Sequence, residues 1–386
     1  MEFNAQQHKL GEYCDFQEGY VNPSQNHPEY FDGNIKWIRA VDLNNGFVYN
    51  TTRTLTDVGF KSAGKSALLF EPDTIVISKS GTIGRLGIIK DYMCGNRATI
   101  NIRPKKNCDL YYVFYFLRSI QQQIRDLAVG SVQRNLYVSI LENISVDFPP
   151  IETQQDIGQI LLAFDRKIEL NQKINDNLQQ QAITLFDSLY SRSTTEVTFT
   201  EVIQILGGGT PKTGESSYWN GTIPFFTPKD VGTPYTLTTE KTITEEGLAH
   251  CNSRLYPVNT VFVTARGTVG KVGMSGVPMA MNQSCYALIG KDTHQLLVYF
   301  YALKVVDKLK HKASGAVFDA ITTRDFETES IFKLSDADSE LFLSIAKPIY
   351  QALLNNTIEN QRLAAIRDVL LPKLMSGEID VSDIHL

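Results

Sequence analysis

The sequence predicts an α/β protein of the α+β kind, with two mixed α/β domains separated by two long helices that pair as an antiparallel coiled coil. Three observations predict it. The chain repeats itself with a period of about 185 residues. Strand-and-turn blocks stand early in each copy, and apolar residues at spacings of three and four stand late in each copy. A period of this length is too long for a stacked solenoid and suits duplicated domains.

The first repeated element is an aromatic pair, a tight turn and a short strand. Tyr30-Phe31-Asp32-Gly33 leads into Ile35-Lys36-Trp37-Ile38, and Tyr218-Trp219-Asn220-Gly221 leads into Ile223-Pro224-Phe225-Phe226. Both continue to a polar turn that carries an acid, Asp42 and Asp230. The second element is a strand, a Gly-rich loop and another strand. Thr74-Ile75-Val76-Ile77-Ser78-Lys79-Ser80-Gly81-Thr82-Ile83-Gly84-Arg85 aligns with Thr260-Val261-Phe262-Val263-Thr264-Ala265-Arg266-Gly267-Thr268-Val269-Gly270-Lys271. Further on, Asn96-Arg97-Ala98 aligns with Asn282-Gln283-Ser284.

The third element is helical. From Ile151 to Arg192 the apolar positions are Ile160, Phe164, Ile168, Ile174, Leu178, Ala182, Leu185 and Leu189, on a stretch otherwise rich in Gln, Asn, Asp and Lys. From Ser335 to Leu374 the rhythm is kept by Phe342, Ile345, Ile349, Leu353, Leu363, Ile366 and Leu370. Each stretch of roughly 40 residues would span about 60 Å as a helix. Pro149-Pro150 precede the first, and Pro372 with Gly377 are expected to close the second. A narrow apolar stripe on a polar helix needs a partner, and the two helices are natural partners for each other. The expected order is domain 1–150, helix 151–194, domain 195–334, and helix with tail 335–386, with a pseudo-twofold axis crossing the helices.

Composition narrows the function. With 386 residues and 42% hydrophobic content the chain can bury more than one core. It has no apolar run of membrane-spanning length, and Met1 to His8 lack the layout of a signal peptide, so a cytoplasmic protein with no membrane partner is expected. Cys14, Cys94, Cys108, Cys251 and Cys285 are scattered and read as ordinary thiols, and the histidines, His385 among them, show no metal-ligand spacing. A net charge of −5 argues at first against nucleic acid. The average hides two basic stretches. Lys79, Arg85, Lys90, Arg97, Arg103, Lys105 and Lys106 stand against Asp91 alone, and Arg254, Arg266 and Lys271 lie in a stretch to Gly290 without an acid.

At these blocks the chain resembles the specificity subunits of type I restriction-modification systems. The strings that carry the resemblance are Gly207-Gly208-Gly209-Thr210-Pro211, Trp219-Asn220-Gly221, Thr227-Pro228-Lys229-Asp230, Arg266-Gly267-Thr268-Val269-Gly270 and Met281-Asn282-Gln283-Ser284. Helical strings add to it: Phe148-Pro149-Pro150-Ile151, Asp165-Arg166-Lys167-Ile168, Glu359-Asn360-Gln361-Arg362 and Leu371-Pro372-Lys373-Leu374. The first half departs where Glu18-Gly19-Tyr20-Val21-Asn22-Pro23 replaces the Gly-Gly-Thr-Pro string. The resemblance implies two target recognition domains that each read half of a split double-stranded DNA sequence. It also implies spacer helices that dock two modification (methyltransferase) subunits, with restriction (motor-nuclease) subunits joining that core. No cofactor is implied in this chain; S-adenosylmethionine, ATP and Mg would act in the partners, which flip and methylate adenine. The helices would act as a ruler holding the domains about one duplex turn, roughly 34 Å, apart.

The DNA-contact candidates follow from side-chain chemistry. Ser80, Thr82 and Thr268 can donate to phosphate oxygens, while Lys79, Arg85, Arg266 and Lys271 supply charge beside glycines that permit close backbone approach. A hairpin turn with solvated charges is the other reading of these loops. For base readout the candidates are Asn96, Arg97, Asn282 and Gln283, with Lys229 and Arg39 of the same sort. The asparagines can equally be caps of a turn.

Catalytic readings find little support. Gly59-Phe60-Lys61-Ser62-Ala63-Gly64-Lys65-Ser66 fits the phosphate-loop pattern, but it lacks a hydrophobic strand before it and a helix after it, and its counterpart at Gly247 has no Gly-Lys-Ser. Asp147-Phe148-Pro149-Pro150 has the wrong order for a methyltransferase, and Asp165-Arg166-Lys167 imitates a nuclease pair on a helix face. A non-catalytic recognition subunit is expected, and the rival class is an interaction scaffold that binds protein.

Overall fold

The computed structural model describes residues 8–130, 134–232, 234–312 and 320–381. Met1 to Gln7, of the stretch without a signal-peptide layout, and His385 lie outside them. Two compact units form: residues 1–168 with 362–386, and residues 169–361.

In the first unit a five-stranded sheet runs in the order Cys14–Glu18, Thr99–Pro104, Thr74–Ser78, Leu86–Ile89, Gly46–Val48. In the second the order is Ile203–Gly207, Cys285–Gly290, Val261–Thr264, Val272–Ser275, Tyr235–Thr236. In both, the last pairing is parallel and the rest are antiparallel. The central strands are buried along their whole length, so the five residues Thr74 to Ser78 read as a continuous apolar run closed by hydroxyls.

A smaller sheet holds the aromatic-turn block. Phe31–Ile38 pairs with Thr54–Leu55 and, in parallel, with Met93–Gly95; Trp219–Phe226 pairs in the same way with Lys241–Ile243 and Ala280–Met281. The turns that open these long strands place Asp32 and Asn220 at φ 63° and 61°. Asp and Asn tolerate that left-handed region better than other side chains.

Helix Ile151–Ser191 and helix Asp336–Met375 confirm the third block. They run antiparallel: Asp165 pairs with Arg367 in the first unit, and Asn171 with Asn360 and Asn175 with Asn356 in the second. Pro372 does not close the second helix as expected. The helix runs on to Met375 and holds Pro348 in its interior as well, and Gly377, two residues beyond, has the φ of 73° usual for a left-handed stop.

The buried stripe also differs from the sequence reading. Ile157, Leu161, Leu162, Ala182, Phe186 and Leu189 are buried, whereas Ile174, Ile345 and Ile366 are exposed by 39%, 43% and 47%. The reason is the partner surface. Near its ends each helix packs on the aromatic helix of a unit, Leu110–Ser119 or Gln295–Lys312, while the middle of the pair is held by asparagines.

The phosphate-loop look-alike is not one. Gly59 lies within the short helix Asp57–Lys61, whose cap Thr56 accepts from Gly59 N–H, and Gly64–Ser66 is one 3-10 turn before strand Leu69–Phe70. No helix starts at Ser66 to present amides to a phosphate.

Candidate nucleic-acid interface

The repeated Gly-rich loop is a hairpin tip tied from within. Ser78 Oγ donates to the Thr82 carbonyl at 2.5 Å and accepts the Arg85 N–H at 2.9 Å. Thr264 does the same, donating to the Thr268 carbonyl and accepting the Lys271 N–H at 2.9 Å. The glycines serve backbone shape first: Gly81 and Gly84 have φ 72° and 83°, Gly267 and Gly270 have 80° and 75°. A Cβ on Gly81 would still meet nothing within 4 Å, so the tip also leaves room for a surface to approach.

A turn follows the long strand of the small sheet in each unit, and in the second it lies beside the loop. Asp230 accepts from Thr227 N–H and Glu240 N–H, both at 2.8 Å; Asp42 accepts from Arg39 N–H at 2.9 Å and Thr52 N–H at 2.8 Å. One carboxylate thus fixes two strand ends in each unit. In the second unit this builds a groove of about 490 Å³ that brings together Lys229, Arg266, Thr268, Asn282, Lys241 and Glu240. Four of the residues singled out from sequence meet there.

The equivalent turn of the first unit carries Arg39 and Arg53. Arg53 stacks over Phe31 at 4.1 Å and Arg39 over Trp37 at 5.3 Å, as Lys241 lies over Trp219 at 5.5 Å. The two units therefore share one cation position, Arg53 aligned with Lys241, and differ at others: Arg39 aligns with Thr227, and Lys229 with Val41.

The remaining candidates divide. Arg97, Arg266, Lys271, Thr82 and Gln283 are exposed, and Ser80 and Arg85 are half-buried. Lys79 is drawn inward into an ion pair with Glu18 at 3.0 Å, which leaves it less available to an outside anion than expected. Lys229 faces Glu240 at 3.7 Å with both side chains well exposed. Asn96 and Asn282 are caps: each Oδ1 accepts the N–H two residues on, from Ala98 and Ser284, at 3.0 Å. Of the two readings of these asparagines, the turn cap is the one the structure shows. Thr268 donates to the Pro228 carbonyl at 2.9 Å, and Gln283 accepts from Thr210.

The departure in the first half proves to be one of letters. A Cβ on Gly19 would lie 2.3 Å from the Asn96 carbonyl, and one on Gly208 would lie 2.2 Å from that of Asn282, so both units need glycine where the chain crosses this turn. Arg53 and Lys241 were missed because the signal is a cation aligned with a cation in otherwise dissimilar segments. Among the described residues no group of three His, Cys, Asp or Glu could hold a metal, and no helix is long and apolar enough to cross a membrane.

The duplicated units with their loops define a class, and sequence comparison agrees. The profile of the type I restriction modification DNA specificity domain matches residues 4–180 and 193–332, and the chain belongs to this family of type I specificity subunits. It is 23% identical over 397 residues to the type I restriction enzyme MjaIX specificity subunit of Methanocaldococcus jannaschii, covering 95% of this chain and 91% of the relative. It is 24% identical over 320 residues to the HindI specificity subunit of Haemophilus influenzae, covering 62% and 70%. In fold it is similar to the crystal structure of a type I restriction-modification S subunit from M. genitalium, with TM-score 0.60 and 17% identity over 97% of this chain and 98% of that one.

Proposed function

We propose that each unit reads one half of a bipartite double-stranded DNA target, and that the paired helices dock two modification subunits, to which restriction subunits attach. One observation carries this reading: a specificity-family chain builds the same loop and the same carboxylate-braced turn twice, with one cation position shared, Arg53 and Lys241, and others that differ, Arg39 and Lys229. A common scaffold gives each half the same approach to a phosphate strand, and differing side chains give each its own sequence. In the second unit Arg266 and Lys241 supply charge, and Lys229 and Gln283 stand where base edges would be met. Arg39, Arg53 and Arg97 do so in the first. Lys79, Ser80 and Asn96 shape the first loop, while Thr82, Arg85, Thr268, Lys271 and Asn282 line the path of the backbone. Methyl transfer and ATP-driven cleavage, with S-adenosylmethionine, ATP and Mg, belong to the partners.

The test is an exchange of residues 1–150 for the first domain of another family member, followed by sequencing of methylated adenines in cells that also express the modification partner. One half of the methylated sequence is expected to change and the other to stay. Changes in both halves would show that the units do not read independently. DNA affinity of the assembled complex that ignores salt would point instead to a protein-binding scaffold.

A further inference from the structure

The groove takes Arg266, Gly267 and Thr268 from the leading end of the loop. The trailing end is basic as well. In the second unit Gly270 and Lys271 line a separate depression of about 380 Å³ with Lys310, Val306 and Asp307. Lys310 stands one turn beyond Val306 on helix Gln295–Lys312, so both side chains lie on the same face. Its chain lies across the loop: the position a Cβ would take on Gly270 is 2.5 Å from Lys310 Cε and 3.4 Å from its Nζ. Glycine at this point is what lets the lysine lie there.

The first unit repeats the arrangement with unrelated letters. A Cβ on Gly84 would lie 3.4 Å from Arg125 Cγ, and Arg125 Nε donates to the Ile83 carbonyl at 3.3 Å. Gln121 Nε2 donates to the Gly84 carbonyl at 2.5 Å and steadies the same point. Arg85 is the next residue of the loop, as Lys271 follows Gly270. The second copy therefore gathers two cations at a glycine of positive φ, one from the loop and one from a helix, and in the first copy Arg125 reaches the matching glycine with Arg85 next along the loop. In the second copy the acid in the depression, Asp307, is shared with His311 at 3.6 Å. Like charges gathered in this way repel unless an anion sits between them. Paired cations of this kind suit a phosphate, and phosphate contacts set position without reading sequence.

We propose that Lys271 with Lys310, and Arg85 with Arg125, each seat one DNA backbone phosphate at the trailing end of the loop, fixing the register of the loop on its strand without reading sequence. This rests on the DNA-reading function above, and its failure is separable from failure of that function.

The experiment uses the full chain assembled with its modification subunits. Binding is followed by fluorescence anisotropy over a range of salt, on a duplex carrying the sequence the complex methylates and on a random-sequence duplex. Lys310→Gln and Arg125→Gln are each expected to weaken binding to both duplexes by a similar several-fold factor and to lower the slope of log K against log salt by about 0.9. Lys310→Arg is expected to restore slope and affinity, which a loss of packing would not explain. The methylated sequence is expected to stay the same. An unchanged slope, or a changed target sequence, overturns the phosphate seat. If Lys229→Gln with Arg266→Gln weakens binding while Lys310→Gln and Arg125→Gln do not, only the seat falls. If none of the four changes affects binding, DNA reading by these faces falls with it.

Discussion

The two units share a strand order, a loop and a turn, yet they hold the long helices by opposite means. Asp165 and Tyr350 stand equally far from the starts of their helices, Ile151 and Asp336. In the first unit Asp165 accepts from Tyr115 Oη at 2.6 Å and is paired with Arg367 and, at 3.3 Å, with Arg118; Arg367 also pairs with Asp368 at 2.8 Å. Burial first, then the neighbouring Asp165 carboxylate, holds the Tyr115 phenol far above its ordinary range, so it remains a donor. In the second unit the same place is aromatic. Tyr350 meets Tyr299 and Phe300 at 5.8 and 5.7 Å, and Phe186 meets Phe300 and Phe342 at 4.7 and 5.4 Å. A duplicated backbone evidently accepts either filling. The ionic one demands every partner, because a buried charge left alone costs more than the pair contributes. The aromatic one depends on volume and shape.

The comparison can be broken from either side. Phe186→Ala is expected to cost the second unit about 4 kcal/mol through the cavity it leaves. Hydrogen exchange should then speed up across 261–290 and leave 74–104 unchanged. Arg367→Met is expected to cost the first unit about 3 kcal/mol, since Arg118 still faces Asp165, with the exchange pattern reversed. Adding Asp165→Leu should recover only part of that loss, because it leaves Tyr115 Oη and Arg118 without this carboxylate. Equal loss in both units from either change would show that the two fillings are not independent.

Smaller effects sharpen the comparison where the units agree. Gly81→Ala and Gly267→Ala should each cost about 1 kcal/mol, read from urea midpoints, because positive φ and not crowding is the obstacle. The smallest effect concerns the start of the second helix. Arg192 first, and Ser335 next, hold the Asp338 carboxyl below its ordinary value of 3.8. A depressed folded-state pKa makes its contribution complete above that value and lost as pH falls through the lower folded one. Asp338→Asn should therefore flatten the loss of stability below about pH 4, seen as a shallower acid limb in thermal unfolding.

What the sequence made legible is what repeats in letters. Gly81 and Gly267, Asp42 and Asp230, and the paired long helices could be read because backbone geometry admits few residues at those places. Arg125 and Lys310 could not, since they reach the loop from helices whose sequences differ. The Arg367 network and the Phe186 cluster were hidden for a similar cause: which face of a long helix is buried depends on the partner it meets, and Ile174 shows that an apolar letter in rhythm does not settle it. The inward pairing of Lys79 was not legible because Glu18, its partner, lies far away in the chain.

The asparagines in the middle of the helix pair have a consequence for assembly. Asn171 Nδ2 donates to Asn360 at 2.9 Å and to Glu359 at 2.7 Å, and Asn356 Nδ2 donates to Asn175 at 2.8 Å. Asn171 and Asn356 hold matching places in their helices, as do Asn175 and Asn360, so each bond joins a first asparagine to a second one. The contact is palindromic, written once and read from both ends. Sliding either helix by a turn would break both bonds together, and only the native alignment satisfies them.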